Sequence, residues 1–249
     1  MPFETSSVTV NERVEMLNGF YRHHAAIPVL RQALNDPIVG NTALVSSFGA
    51  ESVVLLHMVS VIKPETPVIF IDTEMLFPET LDYQLEVTEK LGLKDVRVIK
   101  ADATAVKERD PFGRLHLANP DACCSLRKLE PLENALSEFD AWITGRKRFQ
   151  AGSRVALDLF ENEDDKRIKI NPLAHWRKPD LQDYIINNNL PRHPLVAKGY
   201  PSIGCAPCTT AVKDGEDERA GRWRGADKVE CGIHFLDGTP MRENAEQSQ

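Results

Sequence analysis

The chain has 249 residues, of which 42% are hydrophobic and 27% charged, with 14 glycines and 16 prolines. This composition is typical of a globular protein and excludes disordered, collagenous and coiled-coil classes. The net charge of −7 argues against a nucleic-acid partner. Because no long apolar stretch or signal peptide is evident, we expect a cytoplasmic protein without a membrane partner.

Strands and helices alternate along the predicted fold. A helical region is expected first, over residues 11–33. Strands are expected at 42–48, 67–71, 96–99 and 141–144. Helices are expected between them at 51–61 and 79–91, and a short one later at 180–188. Continuous apolar strands alternating with helices predict an α/β protein with a parallel sheet covered by helices on both faces.

The loop after the first predicted strand, residues 46–52, reads Ser-Ser-Phe-Gly-Ala-Glu-Ser. Small side chains at a helix N-terminus let an anion approach backbone N–H groups, so the loop is a candidate phosphate site. The segment lacks the Walker and dinucleotide-binding glycine patterns. An ordinary turn whose serines cap the helix is the alternative, and this segment alone leaves both open.

Polar residues also follow two other strands. Asp72 and Thr73 come after the second strand, and residues 144–154 after the fourth contain four basic side chains. Helix capping and a solvated charge run are the ordinary interpretations. Since the carboxyl ends of parallel strands share one edge of the sheet, three such motifs together favour an anionic nucleotide ligand.

The five cysteines fall into two pairs and one single residue. The pairs are Cys123–Cys124 and Cys205–Cys208, and Cys231 stands alone. Adjacent cysteines reach one tetrahedral metal less easily than two irons of a cluster, which favours iron-sulfur over zinc. A redox dithiol and buried, unreactive thiols remain open. Nearby Arg219, Arg222 and His234 would favour a Cys231 thiolate, although an incidental exposed thiol is the alternative.

Together these motifs, over residues 42–234, resemble the phosphoadenylyl-sulfate reductase family, and within it the iron-sulfur assimilatory adenylyl-sulfate reductases. The resemblance rests on residues 46–52, 72–80, 144–154 and 202–209, on the tandem cysteines with Arg127 and Lys128, and on the Glu-Cys-Gly-Ile-His segment 230–234. It implies an adenine nucleotide alpha hydrolase-like (PP-loop) fold, with a nucleotide-binding domain over 1–211 and a mobile catalytic tail over 212–249. Glu74 and Lys147 depart from the family pattern, at positions where relatives carry Gly and Arg.

The resemblance also implies the chemistry. Cys231 would attack the sulfur of adenosine 5′-phosphosulfate, releasing AMP, and thioredoxin would then release sulfite from the enzyme-bound S-sulfocysteine. A 4Fe-4S cluster would be held by Cys123, Cys124, Cys205 and Cys208. The substrate would be bound by Ser46, Ile71, Lys128, Gly145, Arg154, Arg219, Arg222 and His234.

Three alternatives stay open at this point. The substrate could be 3′-phosphoadenylyl sulfate, although its reductases typically lack the four cluster cysteines. An adenylating PP-loop ATP pyrophosphatase would share the fold, but its loop usually reads Ser-Gly-Gly-x-Asp-Ser. A zinc-stapled nucleotide-binding protein is the non-enzymatic alternative. The sequence leaves the oligomeric state open, a homo-oligomer included.

Overall fold

The architecture was obtained as a computed structural model, which describes residues 8–150, 154–225 and 228. The helices are α1 Val10–Tyr21, α2 Ala26–Ala33, α3 Ser52–Ile62, α4 Pro78–Leu91, α5 Ala103–Arg109, α6 Leu115–Ala118, α7 Pro120–Cys124, α8 Glu130–Leu136 and α9 Lys178–Asn187. The strands are β1 Thr42–Val45, β2 Val68–Ile71, β3 Val96–Ile99, β4 Ala141–Ile143, β5 Phe160–Glu163 and β6 Arg167–Ile170. Within the described ranges, no helix is long and apolar enough to cross a membrane.

The strands form one sheet in the order β3-β2-β1-β4-β6-β5. Every neighbouring pair is parallel except β5 and β6, which are antiparallel. The chain runs from β1 outward through β2 to β3, and then returns to the other side of β1 as β4. This reversal of strand order opens a crevice at the carboxyl ends of β1 and β4, where open α/β sheets bind ligands.

Both faces of the central strands are buried, as the continuous apolar strands predict. On β2, Val68 and Phe70 pack in the core beneath α1 to α4, whereas Ile69 and Ile71 face the opposite core beside α8. Side chains alternate between the faces because a strand has a period of two residues. Trp142 of β4, which is 1% exposed, fills the second core against Leu136.

Several parts of the fold differ from the sequence expectations. No helices were predicted at the positions of α5 to α8, which lie between β3 and β4. The helical region expected over 11–33 is two helices, because Pro28 is tolerated only in the first turn of a helix and α2 therefore begins at Ala26. The β5–β6 hairpin was not predicted from sequence. Its turn places Asp164 and Asp165 at φ values of 52° and 55°, the conformation of a tight hairpin turn.

Candidate active site

A cavity of about 300 Å³ lies at the carboxyl ends of β1, β2 and β4. It contains the predicted substrate-binding residues that the structure describes, namely Ser46, Ile71, Lys128, Gly145, Arg154, Arg219 and Arg222. These residues come from five separate segments of the chain, so the fold brings together what the sequence only suggested. His234 and Cys231 lie outside the described residues.

The loop between β1 and α3 forms one wall of this cavity. Phe48 is buried and has a φ of 46°, which turns the backbone sharply after the strand. Its N–H donates to the hydroxyl of Ser46 at 3.2 Å, and the N–H of Gly49 donates to the hydroxyl of Ser52 at 3.0 Å. The serines therefore accept hydrogen bonds from the loop's own amides, whereas Glu51, the N-cap residue of α3, makes no side-chain capping bond.

The segment after β4 sends its basic side chains in different directions. Arg146, Lys147 and Arg154 line the cavity, but Arg148 donates to the carbonyl of Leu157 at 2.8 Å and lies on another face. Three of the four basic side chains of this segment therefore line the cavity. Arg146 forms an ion pair with Glu161 of the β5 edge strand.

Lys147 is held by a carboxylate that the sequence did not single out. Its Nζ lies 2.6 Å from Oε2 of Glu51, and the Lys147 side chain is only 4% exposed. Burial lowers the pKa of Lys147 from its ordinary value, against the opposing effect of the Glu51 carboxylate. The amide of Gln150 donates to the same Glu51 oxygen at 3.2 Å, and Nη1 of Arg154 donates to Gln150 Oε1 at 2.6 Å. The sequence did contain a signal for this pair. Glu51 belongs to the candidate phosphate loop, and Lys147 belongs to the basic segment after another strand of the same sheet.

The polar end of β2 serves a second site rather than the first cavity. The hydroxyl of Thr73 lies 3.2 Å from Sγ of Cys205. Asp72 accepts from the N–H of Glu74 at 2.8 Å, which stabilises a turn in which Glu74 has a φ of 59°. A left-handed backbone favours glycine, so the glycine of the family pattern suits this turn, and Glu74 adopts the same conformation with a side chain. Lys100, 3.4 Å from both carboxylates, compensates their charge.

The four paired cysteines line one small cavity beside the first. Cys123 and Cys124 end α7, and a turn of π-helix at Ser125–Leu129 follows them. Cys205 is fixed by backbone bonds to the end of β2, since it bridges to Leu76, and Cys208 follows one turn later. None of these four thiols forms a disulfide.

The charges around the four thiols differ. Burial raises the pKa of Cys123 to about 11, and the neighbouring Cys124 adds to this effect. Burial also acts to raise the pKa of Cys205, but Lys128 and the hydroxyl of Thr73 outweigh it and lower the pKa below its ordinary value. Of Cys123 and Cys205, Cys205 is therefore the one whose surroundings favour the thiolate.

The four thiols suit a cluster of several metal ions better than a single ion. Among the described residues, no three His, Cys, Asp or Glu side chains are arranged as ligands of a single metal ion. Four free thiols around one cavity suit a multi-iron cluster, which takes one thiolate at each iron. Nδ1 of His116, in the wall of the same cavity, is buried without a hydrogen-bond partner among the described residues. A buried polar atom of this kind is expected where a bound group completes the site.

Three side chains line both cavities, namely Lys128, Arg222 and Trp223. The guanidinium of Arg222 lies 4.4 Å from the Trp223 ring centroid and donates to the carbonyl of Ile203 at 3.3 Å. The N–H of Trp223 donates to the carbonyl of Cys208 at 3.0 Å. These contacts attach the first part of the expected tail to the cysteine turn, and Trp223 was not singled out from the sequence.

A buried ion pair fixes the π-helical segment that carries Lys128. Nη2 of Arg127 lies 3.0 Å from Oδ2 of Asp110, and Nη1 donates to the carbonyl of Thr73 at 3.0 Å. Burial acts to raise the pKa of Asp110, but the N–H of Leu115 and the Arg127 guanidinium outweigh it and hold the pKa below its ordinary value. These contacts of Arg127 fix the backbone of the neighbouring Lys128, whose side chain lines both cavities.

Comparison with known proteins places this arrangement in a family. The profile of the phosphoadenosine phosphosulfate reductase domain matches residues 41–211. A protein of Mesorhizobium japonicum named adenosine 5′-phosphosulfate reductase is 49% identical over 219 residues, which cover 88% of this chain and 86% of that protein. A protein of the same name from a Chelativorans strain is 46% identical over 92% of this chain and 93% of its own.

Solved structures agree on the architecture. A crystal structure of phosphoadenylyl-sulfate reductase from Candida auris superposes with a TM-score of 0.69 at 30% identity, covering 79% of this chain and 96% of that one. Yeast FAD synthetase superposes with a TM-score of 0.52 at 18% identity, covering 82% and 77%, which is a likeness of fold alone. The fold is thus of the adenine nucleotide alpha hydrolase-like kind, with a largely parallel six-stranded sheet. The chain belongs to the phosphoadenosine phosphosulfate reductase family.

Proposed function

We propose that this protein is an adenylyl-sulfate reductase of assimilatory sulfate reduction, converting adenosine 5′-phosphosulfate and a dithiol to AMP, sulfite and a disulfide. The observation that carries the proposal is the pair of cations, Lys128 and Arg222, shared by the strand-end cavity and the cavity of the four cysteines. Relatives at 49% and 46% identity bear the name of this enzyme.

The nucleotide would lie along the crevice between β1 and β4. Ser46, Ile71 and Gly145 form the strand-end part of the cavity, which is suited to the adenosine moiety because its backbone edges are accessible there. The phosphosulfate would extend toward the cations at the other end, contributed by Lys128, Arg154, Arg219, Arg222 and His234. These cations would stabilise the charge that develops on the leaving phosphate, without a dedicated general acid.

The first chemical step is a transfer of the sulfonate group to the enzyme. The Cys231 thiolate attacks the sulfur of the sulfonate, the bond between that sulfur and the bridging oxygen breaks, and AMP leaves with the electron pair. The product on the enzyme is S-sulfocysteine at position 231. In this step electrons are redistributed only between the two sulfur atoms that become bonded. No electrons from the dithiol have yet been used.

The second step releases sulfite to a dithiol protein, which we propose is thioredoxin. Its thiolate attacks Sγ of Cys231 and expels sulfite with the electron pair of the broken S–S bond. The mixed disulfide is then resolved by the second thiol of the partner. The two electrons that reduce the sulfonate to sulfite thus come from the dithiol. Cys231 must be reached by both partners, which agrees with a proposed division into a nucleotide-binding domain over 1–211 and a catalytic tail over 212–249.

A 4Fe-4S cluster would be held by Cys123, Cys124, Cys205 and Cys208. The four free thiols, the unpartnered nitrogen of His116 and the adjacent Lys128 support this assignment. When bound, the cluster supplies a fixed charge and a structural centre next to the phosphosulfate end of the cavity. Lys128 contacts Cys205 and also lines the strand-end cavity. The contact with Cys205 would hold the Lys128 ammonium group in place while it binds the phosphosulfate.

Reduction of 3′-phosphoadenylyl sulfate is the second candidate, favoured by the 30% identity to the Candida auris phosphoadenylyl-sulfate reductase. The test is sulfite release from each nucleotide, with thioredoxin and anaerobically purified protein. We expect the higher kcat/KM with adenosine 5′-phosphosulfate. A preference for the 3′-phosphorylated nucleotide would replace the assignment with the second candidate, and no sulfite from either would reject both.

A further inference from the structure

Lys228, in the proposed catalytic tail, is attached to α7, the short helix that ends in the tandem cysteines. Its Nζ lies 2.6 Å from Oδ1 of Asp121, and it also contacts the thiol of Cys124. Asp121 and Cys124 are three positions apart on a helix, so their side chains share a face and one ammonium group reaches both. The Lys228 side chain is only 7% exposed, which is rare for a lysine without a partner. The contact with α7 therefore holds this side chain in a defined place.

The tail has another attachment five positions earlier, at Trp223. The N–H of Trp223 donates to the carbonyl of Cys208 at 3.0 Å, and its ring lines both cavities. Gly225, with a φ of 82°, follows in a conformation that favours glycine. Nζ of Lys228 lies 5.8 Å from the centroid of the Trp223 ring, within the range of a cation–π contact. The tail is therefore joined to both pairs of cysteines, through Trp223 to one pair and through Lys228 to the other.

The contact of Lys228 restricts a residue that follows shortly after it in the sequence. Cys231 is three positions further along the chain. Three residues of fully extended chain span at most about 11 Å, so bound Lys228 sets a limit on the distance that Cys231 can reach. The ring of Trp223, beside the Lys228 ammonium, is part of the wall of the strand-end cavity. The contact with α7 therefore limits the Cys231 thiol to the neighbourhood of that cavity.

The contact with α7 is reversible, because one of its partners is accessible to water. The Asp121 side chain is 46% exposed, so its carboxylate can exchange the ammonium group for water. Ion pairs with a solvated partner contribute little to stability. The backbone attachment of Trp223 to Cys208 involves other atoms and does not depend on this ion pair. Release of Lys228 therefore removes the limit on Cys231 and leaves the cysteine turn in place.

We propose that Lys228 is a positioning residue, whose ammonium group binds Asp121 and Cys124 to keep Cys231 at the cavity during sulfonate transfer and lets go when the dithiol protein binds. The inference rests on the proposed function and adds to it the contact that separates its two steps. Restraint of Cys231 favours the first step, because an oriented nucleophile attacks a bound substrate faster. The same restraint hinders the second step, in which a protein has to approach Cys231.

The direct test is Lys228→Gln, which removes the charge and keeps most of the length of the side chain. The rate of AMP release in a single turnover without thioredoxin should fall at least about fivefold, as for the loss of a hydrogen bond to a charged group. Sulfite release by thioredoxin from the isolated S-sulfo protein should be as fast as in the wild type or faster. A variant that is merely destabilised would lose rate in both steps, so the two rates separate positioning from folding.

Lys198→Gln is the matched control. It removes another lysine from an ion pair, with Glu79 at 2.8 Å, and neither residue lines either cavity. Both of its rates should stay within about twofold of the wild type. Lys228→Arg keeps the charge and should retain most of the first-step rate. Asp121→Asn removes the carboxylate from the other side, so it should slow the first step in the wild type and add little to Lys228→Gln.

Alkylation of Cys231 by a polymer-linked iodoacetamide, followed by peptide mapping, is a readout that does not need turnover. Its pH profile separates two effects, because the plateau rate at high pH reports access to the thiolate and the midpoint reports the pKa of the thiol. The plateau rate should rise at least about fivefold in Lys228→Gln, with unchanged iron content. Where Lys228→Gln does not fold, Asp121→Asn takes its place. Equal plateau rates in the wild type and a folded variant, or a slower thioredoxin step in that variant, would overturn the inference.

The outcomes for the two proposals are separable. A wild type that forms no S-sulfocysteine at position 231 rejects the proposed function, whatever the alkylation rates are. A wild type that completes both steps, with unchanged step rates and alkylation in Lys228→Gln, rejects only the role of Lys228. In that case the ammonium group is a counter-ion of Asp121 and nothing more.

Discussion

The hydroxyl of Thr73 and Sγ of Cys205 are 3.2 Å apart, although 132 positions separate them in sequence. Thr73 follows β2, and Cys205 lies in the turn that bridges to Leu76 just beyond it. The contact joins the carboxyl end of the central sheet to the cysteine site. The motif after β2 therefore contacts one of the four paired thiols, while the motifs after β1 and β4 line the first cavity.

Thr73→Val tests this connection, because it removes the hydroxyl and keeps the shape of the side chain. Loss of the hydrogen bond to a sulfur ligand should make the proposed cluster less stable, so iron should be lost several-fold faster during aerobic dialysis. Iron and acid-labile sulfide are measured over time. Thr66→Val is the matched control, since Thr66 is also buried but bonds to the Lys63 carbonyl at the opposite end of β2. Equal rates of loss in both variants would argue against the role of Thr73.

Gly204→Ala is predicted to displace Arg222 from the cavity. A Cβ at position 204 would clash with the Arg222 guanidinium, the flexible end of a side chain that can move away. We expect kcat/KM for adenylyl sulfate to fall about tenfold, as for the loss of one charge-assisted hydrogen bond, with little change in thermal stability. Gly19→Ala, where a Cβ meets nothing within 4 Å, is the control and should leave kcat/KM unchanged. Full activity in Gly204→Ala would show that the position of Arg222 is unimportant.

The buried pair of Asp110 and Arg127 should dominate the acid sensitivity of this region. Asp110→Asn leaves the Arg127 charge buried without its partner and should lower the free energy of unfolding by about 3–5 kcal/mol near neutral pH. Because the pKa of Asp110 is held below its ordinary value of 3.8, the carboxylate stabilises the fold above that pH. The stabilisation is lost as the pH falls through the lowered pKa.

Urea unfolding across this pH range checks the prediction for Asp110. The difference between wild type and Asp110→Asn should be constant above about pH 5 and should shrink as the pH drops below 4. Asp95→Asn breaks an exposed pair with Arg97, whose side chains are 36% and 37% exposed, and should change stability by less than about 1 kcal/mol. A difference for Asp110→Asn that grows toward low pH would contradict the assigned sign.

Substitution of a paired cysteine should change the iron and sulfide content of the protein, whereas substitution of Cys231 should not. Cys205→Ser is expected to reduce iron and sulfide content and to bleach the brown colour of anaerobically purified protein. Cys231→Ser should abolish sulfite formation and keep the colour. An intact cluster in Cys205→Ser would refute the ligand assignment, and zinc in place of iron would favour a structural metal.

Much of this organisation could be predicted because it depends on local patterns. The parallel strands are continuous apolar runs with helices between them, and the ligand edge follows from their order. The β5–β6 hairpin could not be predicted in the same way. Its strands are short and charged at residues 161, 163, 167 and 169, and they are stabilised by pairing at the sheet edge rather than by an apolar pattern.

Contacts between side chains from different strand ends could not be predicted from the sequence either. Lys147 and Arg148 are adjacent and both basic, yet one is buried against Glu51 and the other bonds to the Leu157 carbonyl. Only the fold determines which side chain turns inward. The Glu51–Lys147 pair, 96 positions apart in sequence, is likewise a property of strand order.

The measurement that tests the central assignment most directly is intact mass and peptide mapping of the protein after one turnover with adenosine 5′-phosphosulfate and no thioredoxin. We predict one added sulfonate on the peptide that contains Cys231. Addition of thioredoxin should remove it and release one equivalent of sulfite. A protein that releases AMP and carries no sulfonate on Cys231 would contradict this prediction.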